Sequence, residues 1–491
     1  MEKYSSNILF IHPTFFFQEK YHKDLFYQDF PLKTLQLSSL LKKIGKVQTD
    51  FLDFRFEKRI SKYFSKPKID ELNFKKDLIK LLEQESIQDL DNIGIFLTSS
   101  FQFLQTKMLS DIIKESFPTT NIIVGGHYPM VEPKDFLKKS PNFDVLILGE
   151  PESTIIEIFK SSFLRKSKYK KKPQIISSKN IFDLNNSPFP DYKAYMKKYN
   201  DQRSLNFTIS ASKGCPFNCR FCKIPKTQFR NYTFPNFMER FEKLQKIALN
   251  YTSEFPKISF LDQSFNSALL SNKILNYIID NSLQEQIKFS CQTRIEIISH
   301  HSSLMNLLKK AKMCVGYGFE TANKKLLFEM NKTKNPTAYI KKMRNILSFY
   351  KKISKPYCRV NIIAGFPGEN KETFQETIAF LEKNAFHPNI QINPTLYIND
   401  PITYVYKHMN YYRKKYGSSF IKDWWKIPFD PLKSAVPLKA SKTYPRCHLL
   451  KDYLKNYRRL LVGFKFTPLS SLINWKKYFG RWTMTLAEKA Q

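Results

Sequence analysis

Cysteine is scarce in this chain, with 7 among 491 residues, and none of the seven precedes Cys215. So few cysteines in so long a chain exclude a disulfide-stabilised scaffold. Long apolar runs are also missing, since no stretch of about 18 apolar residues indicates a membrane-spanning helix. The first residues lack the cationic start and the small-residue cleavage site of a signal peptide. These absences predict a cytoplasmic protein.

Acidic residues are outnumbered, with 43 Asp and Glu against 80 Lys and Arg, which gives a formal net charge of +37. Such an excess suits nucleic acid, an anionic membrane surface or an acidic substrate. The excess is scattered and consists mostly of Lys, and an AT-rich coding sequence produces the same composition. Charge alone therefore leaves the class of partner open.

The first 150 residues alternate short apolar runs with amphipathic stretches, which is typical of βα units. Each apolar run ends in small or turn-forming residues, at the edge where open parallel sheets bind ligands. We therefore predict an α/β fold that begins with a doubly wound, Rossmann-like domain over residues 1–160. The candidate ligand contacts at its strand ends are Thr14, Thr98, Ser99, Gly125, Gly126, Gly149 and Glu150.

A cationic stretch within residues 160–180 and the two prolines of Ser187–Tyr192 predict a linker over residues 161–200. A second βα series follows over residues 201–400. Five or six such units predict a partial or full (β/α) barrel, in which chemistry takes place at the carboxyl ends of the strands.

Three cysteines form a C-x3-C-x2-C motif directly after a strand-like run: Cys215, Cys219 and Cys222. A structural zinc site normally needs four protein ligands, and a fourth Cys or His at finger spacing is missing. Three thiolates instead suit a [4Fe–4S] cluster with one open iron, which can chelate the amino and carboxylate groups of S-adenosylmethionine (SAM). The other four cysteines are isolated, as buried structural cysteines usually are.

The motif resembles the signature of the radical SAM superfamily, in which an aromatic residue precedes the last cysteine, here Phe221. The resemblance extends over the predicted barrel. It implies that the backbone of Phe221 contacts adenine, and that adenine rests on the strand end Asn361–Glu369, at Ile363 and Gly365. Glycine there permits close approach of the backbone to a stacked ligand.

Polar residues also follow three further strands, and we expect them at the same end of the barrel. The resemblance implies that Asp262 and Gln263 contact the amino group of SAM, although they depart from the usual Gly-Gly-Glu pattern. Arg294 is a candidate to neutralise the SAM carboxylate, and Glu320 is a candidate to accept hydrogen bonds from ribose hydroxyls. For each residue the alternative is a salt bridge or a satisfied residue at the barrel lip.

Residues 5–400 together resemble the cobalamin-binding subgroup of radical SAM enzymes, most clearly in Ile122–Pro129 and Asp144–Thr154. The resemblance implies that Gly125 and Gly126 approach the corrin or its nucleotide tail. The Asp-x-His-x-x-Gly signature of a lower histidine ligand is absent, and neither His12 nor His127 has that spacing. We therefore expect cobalamin to bind base-off.

The resemblance implies an anaerobic methyltransferase that acts on an unactivated carbon and takes electrons from an external donor such as flavodoxin or ferredoxin. The alternatives are a radical ring-forming or rearrangement enzyme and a non-catalytic corrinoid- or SAM-binding protein. A methylthiotransferase that modifies transfer RNA is disfavoured, because those enzymes carry three further cluster cysteines in the first domain. The substrate itself cannot be read from the sequence.

Residues 401–491 form a basic, aromatic C-terminal extension, with 19 Lys and Arg against 4 Asp and Glu. Its run from His448 to Phe466 has apolar residues at helical spacing. One interpretation is a helical cap that packs on the barrel. The other is a peripheral face on the anionic inner surface of a membrane, with a lipid-linked instead of a small soluble substrate, while nucleic acid is a weaker alternative.

Overall fold

The structure is a computed structural model of the chain. It describes residues 6–13, 30–45, 47–63, 70–85, 90–97, 100–126, 133–140, 142–160, 164, 173–177, 181–199, 206–224, 227–251, 255–265, 270–298, 302–423 and 436–462. The described residues form two compact units. The first contains those up to Thr208 together with Met238–Leu244, and the second contains the others.

The first unit is built on a six-stranded sheet with the order β2-β1-β3-β4-β5-β6, and all five of its strand pairs are parallel. The order reverses between β1 and β3, as in doubly wound folds, so the predicted α/β class is confirmed. The strands are largely apolar because helices cover both faces of such a sheet. They are β1 (Ser6–His12), β2 (Val47–Asp53), β3 (Asn92–Leu97), β4 (Asn121–Gly126), β5 (Val145–Leu148) and β6 (Gln174–Ser177).

Helices follow the strands of this sheet. The α1 helix packs against α6, whereas α3 packs against α2 and α4. This division matches a sheet that is covered on both faces. The helices are α1 (Leu32–Ile44), α2 (Lys58–Ser61), α3 (Glu71–Gln84), α4 (Phe103–Ser116), α5 (Pro133–Lys139), α6 (Pro151–Lys160) and α7 (Tyr192–Lys198).

The described parts of residues 161–200, the predicted linker, contain a strand and a helix. The strand, β6, pairs with β5, and the helix, α7, begins at the side-chain cap of Asp191. The hydroxyl of Tyr195 donates to the Asp53 carboxylate at 2.6 Å, and the Asp53 amide donates to the Tyr199 hydroxyl at 2.7 Å. Buried aromatic residues therefore fix this segment within the first unit.

The second unit contains a six-stranded sheet with the order β14-β13-β12-β11-β10-β7. Strands β10 to β14 pair in parallel, and β7 and β14 are the two edges, which agrees with a partial (β/α) barrel. The strands are β7 (Phe207–Ile209), β10 (Lys257–Phe260), β11 (Lys288–Thr293), β12 (Cys314–Glu320), β13 (Cys358–Ala364) and β14 (Ile390–Leu396).

Two short antiparallel pairs complete the described strands of this unit: β8 (Ser212–Lys213) with β9 (Arg230–Asn231), and β15 (Lys439–Ser441) with β16 (Tyr444–Pro445). The remaining described helices of the chain are α8 (Phe234–Tyr251), of which Met238–Leu244 is grouped with the first unit, α9 (Ser271–Asp280), α10 (Ile295–Ile298), α11 (Ser302–Lys310), α12 (Lys324–Glu329), α13 (Pro336–Lys351), α14 (Lys371–Asn384), α15 (Tyr404–Lys407), α16 (Met409–Tyr416) and α17 (Arg446–Val462).

The C-terminal helix α17 packs within the second unit, against α14, β14 and β15. Its apolar stripe, Leu449, Leu450, Tyr453 and Leu454, is buried. The hydroxyl of Tyr453 donates to the Pro394 carbonyl at 2.9 Å. The described part of the stripe thus forms the helical cap that was one of the two interpretations. Among the described helices, none has the length and apolar content needed to cross a bilayer.

Candidate functional site

The three motif cysteines lie on a loop whose ends are joined by the β8–β9 pair. Gly214 precedes Cys215 with a φ of +82°, and a Cβ there would lie 2.7 Å from the carbonyl oxygen of Gln228. Glycine is therefore required where the two arms of the loop approach each other. All three cysteines are half-buried and form no disulfide.

The segment after α12 supports this loop. The Met330 carbonyl accepts a hydrogen bond from the Arg220 amide at 2.9 Å. The side-chain amide of Asn331 donates to the Asn218 carbonyl at 2.8 Å. These bonds hold the backbone on both sides of Cys219, so the spacing of the motif becomes a fixed geometry.

Arg294 lies directly against one of the cysteines. Its guanidinium donates to the Cys219 sulfur at 2.9 Å and is centred 4.0 Å from the centroid of the Phe217 ring. It also donates to the Glu296 carboxylate at 2.6 Å and to the carbonyl of Lys332. These partners lie within the protein, and the role of Arg294 in neutralising the SAM carboxylate stays a prediction. A cation at this sulfur would offset the negative charge of a cluster bound through thiolates.

Glu320 is held by a partner that the sequence did not indicate. The Lys332 ammonium donates to its carboxylate at 2.8 Å, and both side chains are less than a tenth exposed. Glu320 has a φ of +72°, next to a register shift between β12 and β13. The Lys332 nitrogen lies 5.7 Å from the centroid of the Phe221 ring. This buried ion pair therefore lies beside the cysteine loop, whereas a contact of Glu320 with ribose stays a prediction.

Asp262 forms hydrogen bonds within the protein, and its contact with the SAM amino group stays a prediction. The Ala211 amide donates to its carboxylate at 3.0 Å, and the Ser212 hydroxyl donates to its other oxygen. Burial raises the pKa of Asp262 to about 6. The residue fixes the entry to the cysteine loop, while its neighbour Gln263 is exposed.

The predicted adenine contacts Phe221 and Ile363 come together in the structure. Both pack against one apolar cluster, which also contains Phe366, Tyr397 and Tyr412 among others. Side chains of this kind can cover the flat aromatic face of adenine. The structure thus brings together two residues that are 142 positions apart in the sequence.

Gly365 serves packing as well as turn geometry. Its φ is +84°, and a Cβ there would lie 2.5 Å from a methyl carbon of Leu449 on α17. The buried carboxyl group of Glu369 accepts a hydrogen bond from the Gly365 amide, and burial raises the pKa of Glu369 to about 8. Packing against Leu449 thus accounts for glycine at this position, while close approach of a ligand stays a prediction.

We expect Gly365→Ala to lower the stability of the second unit by about 2–4 kcal/mol, because backbone strain at positive φ adds to overpacking against Leu449. Gly45→Ala is the matched control, since Gly45 has a φ of +76° but open space around it. Denaturant unfolding of the metal-free chain compares the two variants. If Gly365→Ala is no more destabilising than Gly45→Ala, the contact with Leu449 does not limit this position.

The cysteine loop suits a [4Fe–4S] cluster. Burial raises the pKa of the Cys222 thiol to about 11 and also raises the pKa of Cys215, so iron binding must displace protons. In the described part of the chain, no group of three or more His, Cys, Asp or Glu side chains is placed to hold a single metal ion. A cubane differs, because each thiolate binds a different iron. Three free thiols on one rigid loop, with a guanidinium at one sulfur, provide a suitable donor set.

Only some residues of the ligand-binding edge predicted in the first unit are among those that the structure describes. Thr14, Thr98, Ser99 and His127 lie outside the described residues. Gly125 and Gly126 are explained by packing, since added Cβ atoms would lie 2.7 Å from the Phe96 ring and 2.1 Å from the Leu97 carbonyl oxygen. Gly149 differs: its φ is +84° and no atom lies within 4 Å of an added Cβ. Gly149, with Glu150 beside it, therefore borders open space.

Buried polar atoms near this edge are compatible with a large polar ligand. Within the described part of the chain, side-chain atoms of Gln105, Thr106 and Thr154 are buried without a hydrogen-bond partner. They lie in the first turns of α4 and α6, the helices that follow β3 and β5. Buried polar groups normally have partners, so these groups and the open side of Gly149 fit a cofactor with many hydrogen-bonding groups.

Comparison with known proteins identifies similarity in the second unit. Residues 209–381 match the family described as the radical SAM superfamily. This region contains the cysteine loop and every site residue predicted in the second unit.

Curated relatives are similar to a larger part of the chain. An uncharacterized methyltransferase of Pyrococcus horikoshii is 25% identical over 325 residues, which cover 62% of this chain and 66% of the relative. A tRNA-2-methylthio-N(6)-dimethylallyladenosine synthase of Wolbachia pipientis is 23% identical, with 53% and 57% covered. An anaerobic magnesium-protoporphyrin IX monomethyl ester cyclase of Cereibacter sphaeroides is 21% identical, with 72% and 56% covered. The chain thus spans just over half to two thirds of the length of these relatives.

Proposed function

We propose that this chain, which belongs to the radical SAM superfamily, cleaves SAM reductively and methylates an unactivated carbon with the help of cobalamin. Cys215, Cys219 and Cys222 would hold the [4Fe–4S] cluster, and the strand-end edge at Gly149 would hold cobalamin. The observation that carries the proposal is the rigid loop of three free thiols with Arg294 at the Cys219 sulfur. When bound, the cluster would supply the electron that cleaves SAM, and cobalamin would supply the methyl group.

The residues of the chain have distinct tasks in this scheme. Arg294 offsets negative charge at Cys219, and Asp262 fixes the entry to the cysteine loop. Phe221 and Ile363 provide an apolar surface for adenine and exclude water from it. The buried pair of Glu320 and Lys332 keeps further charge near the loop without exposing it to solvent.

Methyl transfer is supported by the name of the Pyrococcus horikoshii relative, and a second candidate function is supported by another relative. The magnesium-protoporphyrin relative is called a cyclase and matches 72% of this chain, which favours a ring-forming radical reaction. Several relatives are methylthio synthases that act on tRNA, but this chain has no cysteine before Cys215. The resemblance implies that those enzymes hold a second cluster with three cysteines of their first domain. This chain lacks such cysteines.

Anaerobic reconstitution of the full chain with iron, sulfide and hydroxocobalamin tests the proposal. We expect absorbance from both cofactors and formation of 5′-deoxyadenosine from SAM after reduction. Mass analysis of extracts incubated with the enzyme then separates the candidates, because methyl transfer adds the mass of one CH2 whereas ring formation does not. A reduced, cluster-loaded chain that forms no 5′-deoxyadenosine would favour a non-catalytic binding protein.

We further expect the full chain to bind cobalamin base-off. His12 ends β1, in register with Asp53, and burial lowers its pKa to about 4. It lacks the sequence context of a lower ligand, so His12→Ala should leave the Co(II) electron paramagnetic resonance spectrum unchanged. The control is His408→Ala in the second unit. A spectrum of the wild-type chain with splitting from a protein nitrogen, lost in His12→Ala, would contradict this expectation.

A further inference from the structure

The short helices α15 and α16 lie against the cysteine loop. The Val405 amide donates to the carbonyl of Arg220, the residue that follows Cys219, at 3.4 Å. The Arg220 guanidinium is centred 5.1 Å from the centroid of the Tyr404 ring. Backbone and side-chain contacts therefore join the start of α15 to the middle of the cysteine motif.

A buried carboxylate joins α16 to the same loop. Glu329 accepts hydrogen bonds from Arg220 at 2.9 Å, from Lys415 at 2.8 Å and from the Tyr416 hydroxyl at 2.9 Å. Its side chain is 6% exposed, so these interactions are screened only weakly by solvent. The outer surface of α15 and α16 is thus fixed relative to the cysteines.

That outer surface is basic and aromatic. Between Asp400 and Asp423 the sequence contains no acidic residue. Tyr404 and Tyr411 are 37% and 43% exposed, although large apolar side chains are usually covered. Aromatic residues surrounded by cations are typical of protein interfaces and attract acidic partners. The exposed basic residues are Lys407, Arg413, Lys414 and Lys415.

We propose that this surface of α15 and α16 is the docking site of an acidic one-electron carrier protein that reduces the cluster. The inference rests on the proposed function, because each reductive cleavage of SAM consumes one electron. A reduced flavoprotein or iron–sulfur carrier would give up one electron on docking and leave oxidised by one electron. Arg220, which is adjacent to Cys219, contacts Tyr404 and Val405 at the start of α15, so the surface begins beside the cysteine motif.

The test is binding of an acidic flavodoxin to the full chain, measured by calorimetry at low salt. The variant Lys407→Glu/Arg413→Glu/Lys414→Glu should weaken binding about tenfold or more, because attraction becomes repulsion. Lys415 is left unchanged because it contacts Glu329. The matched control is Lys309→Glu/Lys341→Glu/Lys383→Glu, which makes the same change in net charge on exposed positions of α11, α13 and α14 and should bind as the wild type does.

A second measurement distinguishes a loss of flavodoxin docking from a loss of SAM cleavage. The ratio of flavodoxin-driven to dithionite-driven 5′-deoxyadenosine formation should fall only in the α15–α16 variant. If dithionite yields no product even with the wild-type chain, the proposed function fails, while the binding measurement still tests the docking site. Equal flavodoxin affinity of both triple variants would overturn the proposal. So would binding to anionic phosphatidylglycerol vesicles, but not to flavodoxin, that is lost in the α15–α16 variant.

Discussion

Replacement of Cys215, Cys219 or Cys222 by alanine is expected to abolish formation of 5′-deoxyadenosine. The three thiols, which are half-buried, would hold the cluster, so loss of one ligand would leave it incomplete. The backbone conformation of the loop should otherwise be unchanged. Neither the close approach of its two arms at Gly214 nor its hydrogen bonds to Met330 and Asn331 involve the thiols. Iron and sulfide analysis, with product detection after reduction, measures the effect.

The other cysteines provide matched controls. Cys291 and Cys358 are buried within β11 and β13, Cys314 is at the start of β12, and Cys447 is exposed on α17. Alanine at any of these positions should leave about four irons bound per chain, the content of one cluster. If one of these variants loses the cluster while a variant of the motif keeps it, the ligand assignment is wrong.

Much of the fold could be predicted because buried parallel strands appear as short continuous apolar runs. Val145–Leu148, for example, is entirely apolar and lies between two turn-forming segments. Strand β6 escaped prediction because it has four residues, alternates in burial and follows a Lys-rich stretch. The packing of α7 depends on Tyr195 meeting Asp53, and no local pattern links residues so distant in the sequence.

Spacing in the sequence identified the site residues that are close together, and the family resemblance added distant ones such as Phe221 and Ile363. The cysteine spacing identifies the loop by itself, whereas Lys332 is separated from Glu320 by helix α12. The hydrogen bonds of Asp262 to Ala211 and Ser212 could not be predicted either. A polar residue at a strand end has the same sequence pattern whether it contacts a ligand or the backbone of its own chain. No sequence pattern indicated that Glu329 belongs to the site, because its three partners come from the cysteine loop and from α16.

Lys332→Met is expected to destabilise the second unit by about 3–5 kcal/mol, because it leaves the Glu320 carboxylate buried without its cation. The side chains of Lys332 and Glu320 are 5% and 7% exposed, so water cannot replace the lost partner. Gly318 has no side chain to fill the space, and an added Cβ there would lie 2.7 Å from the Lys332 nitrogen. Hydrogen exchange of peptides from β11, β12 and β13 in the metal-free chain measures the loss of stability in the second unit alone.

Two controls separate the buried charge from the general effect of losing a lysine. The double variant Lys332→Met/Glu320→Gln removes both charges and should recover much of the protection, since a neutral amide costs less to bury than an unpaired carboxylate. Lys243→Met breaks the pair between Lys243 and Glu239, whose side chains are 53% and 63% exposed, and should leave exchange unchanged. If the single and double variants at Lys332 lose equal protection, packing of the lysine chain, and not its charge, supports this part of the site.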